Sequence, residues 1–219
     1  SQFGASRYAA LDDGTPYGKG LTEGAAEQLK AEKKQVVVRE SFDDKTLAFD
    51  DLAAKLKEAG VEVMVSTLND YQVIALIEAL RKVNYTRLRL LGGDTVKTTD
   101  MIKATGIIEG IYATSPVLEA KEFVAGRQFL EKYLETYKKP PAYGGHYSYD
   151  SMYVLSAALQ KAKSAKPKDI TAAMHSLNGY APVTGTMTWD DKGEQRYAAV
   201  GVYELRRGSW ELRMRSDRW

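Results

Sequence analysis

From its first residues to about Pro116, the chain's apolar residues switch repeatedly between the two-residue period of a strand and the longer period of a helix. That rhythm leaves few folds open. Parallel strands need a connection of helix length to return to the same edge of a sheet, so alternating elements predict an open, doubly wound parallel α/β sheet. Short apolar runs place strands over residues 7–11, 35–39, 61–66, 87–91 and 107–113. Between them, Phe49, Leu52, Ala53 and Leu56 share one helical face, and Val73, Ile74, Ile77 and Leu80 share another. A first helix over 22–33 follows the glycine-containing turn GTPYGKG, and Gly60 marks a helix end.

After Glu119 the rhythm changes. Two long helical patterns follow with no strand between them, one carrying Phe123, Leu130, Leu134 and Tyr137, the other Tyr149, Met152, Tyr153 and Leu159. The run KKPPAYGG separates them, because Pro140 and Pro141 cannot continue a helix. A shorter helix over 169–176 follows Pro167. These apolar faces need a surface to cover, yet the sheet before them already has helices for both sides. The close returns to β: TGTMTWDDKGE reads as strand and turn, and 197–206 with 210–214 as a hairpin. In its last strand Trp210, Leu212 and Met214 alternate with Glu211, Arg213 and Arg215 on a solvated face. The organisation is thus an α/β lobe over 1–116, a helical segment over 117–182 and returning strands over 183–219.

Composition removes several kinds of chemistry. Lys and Arg number 31 against 29 Asp and Glu, a net charge of +2, so no global field exists to recruit nucleic acid or an anionic bilayer. With no cysteine there is no disulfide, thiolate nucleophile or cysteine-held metal. The two histidines, His146 and His175, lack metal-ligand spacing, and no cofactor is expected. No apolar run approaches the roughly 20 residues of a membrane helix, and SQFGASRYAALDD lacks the basic-then-apolar pattern of a secretory signal.

Motif tests narrow the field further. Gly14, Gly18, Lys19 and Gly20 miss the phosphate-loop spacing, and glycine stands where the magnesium-binding hydroxyl belongs. No GxSxG elbow is present. Asp12 and Asp13 end the first strand and Asp70 comes close to the position after the third strand that a magnesium-dependent phosphoryl acceptor uses, but Thr114, Ser115 and Pro116 stand where its lysine belongs; the other reading of Asp12 and Asp13 is a solvated turn before Gly14. What remains at the carboxyl ends of the strands is Tyr17, Leu68, Asn69, Asp70, Gly93 and Asp94, an inventory for binding rather than covalent chemistry. Asp94 either receives an ammonium group or caps the short helix after it. Tyr17 either covers an aliphatic part of a ligand or packs on the first helix.

At these residues, and along YAALDDGTPYGKGL, FDDLAAKLKEAGVEVMV, LLGGDT, YSYDSMYVLSAAL, VTGTMTWDDKGE and YAAVGVYELRRGSW, the chain resembles the type I periplasmic solute-binding proteins of branched-chain amino acid ABC transporters. The resemblance implies two α/β lobes, joined by crossovers, that close over a ligand without catalysis. It makes Tyr17 the aromatic ligand contact, Leu68, Asn69 and Asp70 a second wall, and Asp94 the acceptor of the ligand ammonium. Tyr147 contributes from the hinge side, and the crossover falls near Ser115 and Pro116. Asn69 stands where amino-acid binders often carry an aromatic. The implied ligand is an amino acid or similar small polar solute, the implied partner a transporter permease, and the implied location the periplasm, with no membrane insertion. The family also leads one to expect a lobe ahead of this sequence, against which residues 117–182 pack. Without it, impaired binding and a homodimer with exchange of the helical block are expected. Two rivals stay open: an enzyme or phosphoryl acceptor using Asp12, Asp13 and Asp70 on a flavodoxin-like sheet, and a self-associating module with no ligand.

Overall fold

A computed structural model describes residues 3–177, 181–185, 187–196 and 198–217. The chain divides into two units, Ser1–Ser115 with Gly201–Arg215, and Pro116–Val200 with Ser216–Trp219.

The first unit is a seven-stranded sheet of β1 (Arg7–Asp12), β2 (Gln35–Ser41), β3 (Val63–Ser66), β4 (Arg89–Gly92), β5 (Gly110–Ser115), β6 (Gly201–Arg206) and β7 (Ser209–Arg215), in the order β2-β1-β3-β4-β5-β6-β7. The first five strands are parallel, and β6 and β7 add an antiparallel edge beside β5. This is the doubly wound α/β lobe that the alternating periods predict. The connecting helices are α1 (Pro16–Ala31), α2 (Asp50–Glu58) and α3 (Asp70–Lys82).

Strand alternation sends successive side chains to opposite faces. Ala9, Leu11 and Met64 join Leu52, Leu56, Val73, Leu76, Ile77 and Leu80 of α2 and α3 in one core cluster, while Tyr8 and Val63 pack with Leu29 of α1 on the other face. Each fully buried leucine or isoleucine contributes roughly 1.5–3 kcal/mol relative to exposure. The hairpin extends the larger core through Leu205 and Trp210, whose indole N–H donates to the Thr98 carbonyl at 2.9 Å.

Several boundaries differ from the sequence expectation for identifiable reasons. Helix α1 begins at Pro16 rather than at 22, because Thr15 caps it by accepting the Gly18 N–H at 3.0 Å and Pro16 suits the first helical position. Residues 16–20 of GTPYGKG are therefore helix. Val61 and Ile108 are buried core residues that precede β3 and β5, so their apolarity reports burial rather than strand. Among the described residues of TGTMTWDDKGE the expected turn forms at 190–194, but in place of a strand there is an isolated bridge of Trp189 with Gln195; Thr186 lies outside the described residues. Tyr197, the expected start of the hairpin, also lies outside them. The hairpin turns through Arg207 and Gly208, both at positive φ (49° and 78°), which matches the twist of its strands. A register shift pairs Val202 with Met214 but Tyr203 with Leu212, leaving Arg213 as an extra residue. Alternation changes face there, and Arg215 is buried instead of solvated.

In the second unit the helices are α4 (Gly126–Tyr137), α5 (Gly145–Ala162) and α6 (Pro167–His175). The break between α4 and α5 falls at the expected prolines. The buried side of α5 is His146, Asp150, Val154 and Ala158, at four-residue intervals, whereas Tyr149, Met152, Tyr153 and Leu159 are exposed. The apolar stripe legible in the sequence is thus the uncovered face. On α4, Phe129 is buried and Leu134 and Tyr137 are exposed.

Candidate functional site

The order β2-β1-β3 means the chain leaves β1 towards one edge and later continues towards the other, so a crevice opens at the carboxyl ends of β1 and β3. Three segments meet there: the start of α1, the loop 67–69 after β3, and residues 93–96 after β4. Backbone bonds hold them together. Thr67 N–H donates to the Leu11 carbonyl at 2.9 Å, and Gly93 N–H to the Ser66 carbonyl at 3.1 Å.

The Tyr17 hydroxyl donates to the Asp94 carboxylate, joining residues 77 positions apart. Burial, and then this bond, push the Tyr17 hydroxyl above the ordinary phenol range, so it stays a donor across the physiological range. Its ring is nevertheless 48% exposed, a free face on the rim. Asp94 opens a single turn of 3-10 helix whose N-cap is Gly93, so it is not the cap. Thr95 Oγ1 donates to the Leu68 carbonyl at 3.0 Å and ties this turn to the second wall. Leu68 itself gives its side chain wholly to the core and shapes the rim through its backbone. Asn69 is the N-cap of α3. Its N–H donates to Gln72 Oε1 at 3.3 Å, and its amide lies 3.4 Å from the Tyr71 hydroxyl. Asp70 is engaged by the Thr98 hydroxyl at 2.7 Å and the Tyr71 N–H at 2.8 Å. Tyr17, Leu68, Asn69, Asp70 and Asp94 therefore belong to one connected rim.

Gly18 sets the tightness of that rim. A Cβ there would stand 2.1 Å from Asp13 Oδ1 and 2.8 Å from Thr67 Oγ1, so only glycine lets α1 approach the end of β3. The acidic pair is structural. Asp12 is buried and accepts from Ser41 Oγ and Gly14 N–H, and Asp13 accepts from Thr15 Oγ1 at 2.6 Å. Among the described residues no three His, Cys, Asp or Glu side chains come together to hold a metal ion. Thr95 and Thr98 carry no signal in the sequence, because an isolated threonine in a loop has no pattern. Thr15, by contrast, is marked by the Thr-Pro signature of a helix start.

Tyr147 lies in the second unit, where its hydroxyl donates to the Pro116 carbonyl at 3.2 Å and accepts the Leu118 N–H at 3.3 Å. Its neighbour His146 is buried. Burial pushes its pKa below 6.5, outweighing the Leu118 carbonyl and the carboxylates of Asp150 and Glu119, which pull it up. As pH falls below about 6.5 the unfolded chain takes up the proton first, so stability held at neutral pH is lost towards the folded value. Thermal melts between pH 7.5 and 5 should therefore show a falling midpoint, and His146→Gln should flatten the slope. The same unit carries an aromatic trough of about 360 Å³ between α4 and α5, lined by Phe129, Tyr133, Tyr137 and Tyr149, with Lys132 and Val183 at its walls.

Residues 1–209 match the model of a family described as periplasmic binding protein. Among curated relatives, Leu/Ile/Val-binding protein homolog 1 of Brucella abortus (strain 2308) is 24% identical over 208 residues, covering 94% of this chain and 55% of that protein. The leucine-specific-binding protein of Salmonella typhimurium is 24% identical over 202 residues, covering 90% and 53%. The chain thus spans about half the length of these relatives. Among solved structures, a leucine binding protein from Thermotoga maritima superposes with a TM-score of 0.85 at 21% identity, over 98% of this chain and 61% of that one. An ABC-transporter solute binding protein from R. palustris, solved with benzoate, gives 0.76 at 16% identity, over 96% and 58%.

Proposed function

The chain belongs to the periplasmic binding protein family, and on that premise we propose that its first unit carries one wall of a noncatalytic receptor site. The ligand is an amino acid or similar small polar solute, and the receptor serves uptake through an ABC-transporter permease from the periplasm. The observation that carries this reading is the Tyr17–Asp94 contact at the crevice. An ammonium group takes the place of the Tyr17 hydroxyl on the carboxylate, and the exposed ring covers the ligand's adjoining carbons. Asn69 and Asp70 form the second wall. The rival phosphoryl-acceptor reading is less supported, because Asp12, Asp13 and Asp70 each spend their oxygens on neighbouring loops. These contacts engage only the amine and one side of a ligand, so affinity for this chain on its own is weak, on the order of 1 mM.

Ligand-observed NMR with leucine, glutamine, isoamylamine and isocaproate tests the reading. The amines should bind and isocaproate should not, and Asp94→Asn should weaken binding about tenfold or more, since hydrogen bonds to charged groups are worth about 1.5–3 kcal/mol. Equal binding of isocaproate, or an unaffected Asp94→Asn, would contradict it.

A second reading rests on the exposed α5 face: Met152 is 65% exposed and Tyr149 and Tyr153 about 40%, a contiguous apolar stripe. We infer a homodimer in which this face is covered by a second copy, with exchange of the helical block as one route. Light scattering at micromolar concentration should give twice the chain mass of 24.3 kDa, and a monomer would count against it.

A further inference from the structure

The chain passes between the two units at three points, after Ser115, after Val200 and after Arg215. On the second unit's side the first point carries hydrogen bonds that no helix or strand requires. At the first, Tyr147 Oη donates to the Pro116 carbonyl at 3.2 Å and accepts the Leu118 N–H at 3.3 Å. His146 Nε2 stands 2.9 Å from the Leu118 carbonyl. A carbonyl can only accept, so that nitrogen carries the hydrogen and the ring is a donor there. Two consecutive side chains in the first turn of α5 thus satisfy both polar groups of Leu118 and the carbonyl of Pro116. At the other two points the segments tie to each other: Ser216 N–H donates to the Val200 carbonyl at 2.9 Å, and Val200 N–H donates to Ser216 Oγ at 2.8 Å.

We propose that His146 and Tyr147 are positioning residues, a latch that holds the first crossing to the second unit, while the Val200–Ser216 exchange ties the other two crossings to each other. The geometry supports a latch more than generic packing. The His146 ring is only 5% exposed and is packed 4.6 Å from the Tyr147 ring and 5.8 Å from Phe123, so its donor is aimed rather than free to rotate. Pro116 limits the backbone at the joint itself, since its φ is fixed and it has no N–H to donate. Flexing of the chain at the first crossing is then confined to the few bonds before Pro116. At this crossing the ties, rather than the stiffness of the segment, decide where the chain can bend.

Amide hydrogen exchange by NMR on the full chain tests the latch. Tyr147→Phe keeps the ring but removes the acceptor of the Leu118 N–H, and should speed Leu118 exchange about tenfold or more while the middle of α5 is unchanged. His146→Leu should speed it too, and His146→Gln, which keeps a donor, should restore most of the protection. Ser216→Ala should likewise expose the Val200 amide without affecting Leu118. Unchanged Leu118 exchange in Tyr147→Phe, or a rise matched by every amide of α5, would overturn the proposal, because the first denies the bond and the second reduces it to overall stability. Should Tyr147→Phe not fold, the contrast between His146→Leu and His146→Gln decides it alone, and equal exchange in those two variants overturns it.

Discussion

Asp150→Ala is expected to lower the thermal unfolding midpoint of the second unit by roughly 10–20 °C, the shift that about 3 kcal/mol produces in a domain of this size. Asp150 is fully buried on α5, and its carboxylate accepts the Val183 N–H at 2.9 Å, the Thr184 N–H at 2.7 Å and the Thr184 hydroxyl at 2.6 Å. Truncation strands two backbone donors, each costing about 1–3 kcal/mol when left without a partner, and frees the segment that carries Val183 over Phe129. Asp150→Asn keeps one acceptor and should fall between. Circular dichroism melts measure both, and a drop of only a few degrees in Asp150→Ala would show that the clamp contributes little.

Gly126→Ala is the second large effect. A Cβ at this position, in the first turn of α4, would stand 1.6 Å from the Ala120 carbonyl oxygen, a backbone atom that cannot rotate away. Overpacking ordinarily costs about 1–3 kcal/mol, and a clash with backbone lies at or beyond the upper end. Gly24→Ala, within α1 and with nothing near its Cβ, should instead gain about 0.5–1 kcal/mol from helix propensity. Denaturant melts of the two variants should move in opposite directions. Equal behaviour would mean that α4 does not lie against residue 120 as described.

The parts of this protein that were legible in advance are those where burial and period agree. Strands β1 and β2, helices α2 and α3, and the hairpin turn at Arg207 and Gly208 follow from apolar spacing and turn chemistry, because both faces of the sheet are covered. The rim residues Tyr17, Asn69 and Asp94 were legible by position alone, as residues that follow strand ends. That Tyr17 bonds Asp94 was not, since a contact across 77 residues depends on how far α1 reaches over the sheet, which Gly18 and Thr15 decide. Helix α5 was misleading for a related reason. Its buried side carries His146 and Asp150, whose polar groups are satisfied by backbone, while its apolar residues face outward. Periodicity identifies a stripe but not which side of a helix is covered.

We propose that a small amine-bearing solute rests in the crevice at the ends of β1, β3 and β4. Chemical-shift mapping on the labelled chain during a leucine titration tests it most directly. The backbone amides of Tyr17, Asn69, Gly93 and Asp94 should move together along one saturating curve, which Asp94→Asn should shift to about tenfold or more higher leucine concentration. Saturating shifts confined to the α4–α5 trough, with those four amides unmoved, would contradict it.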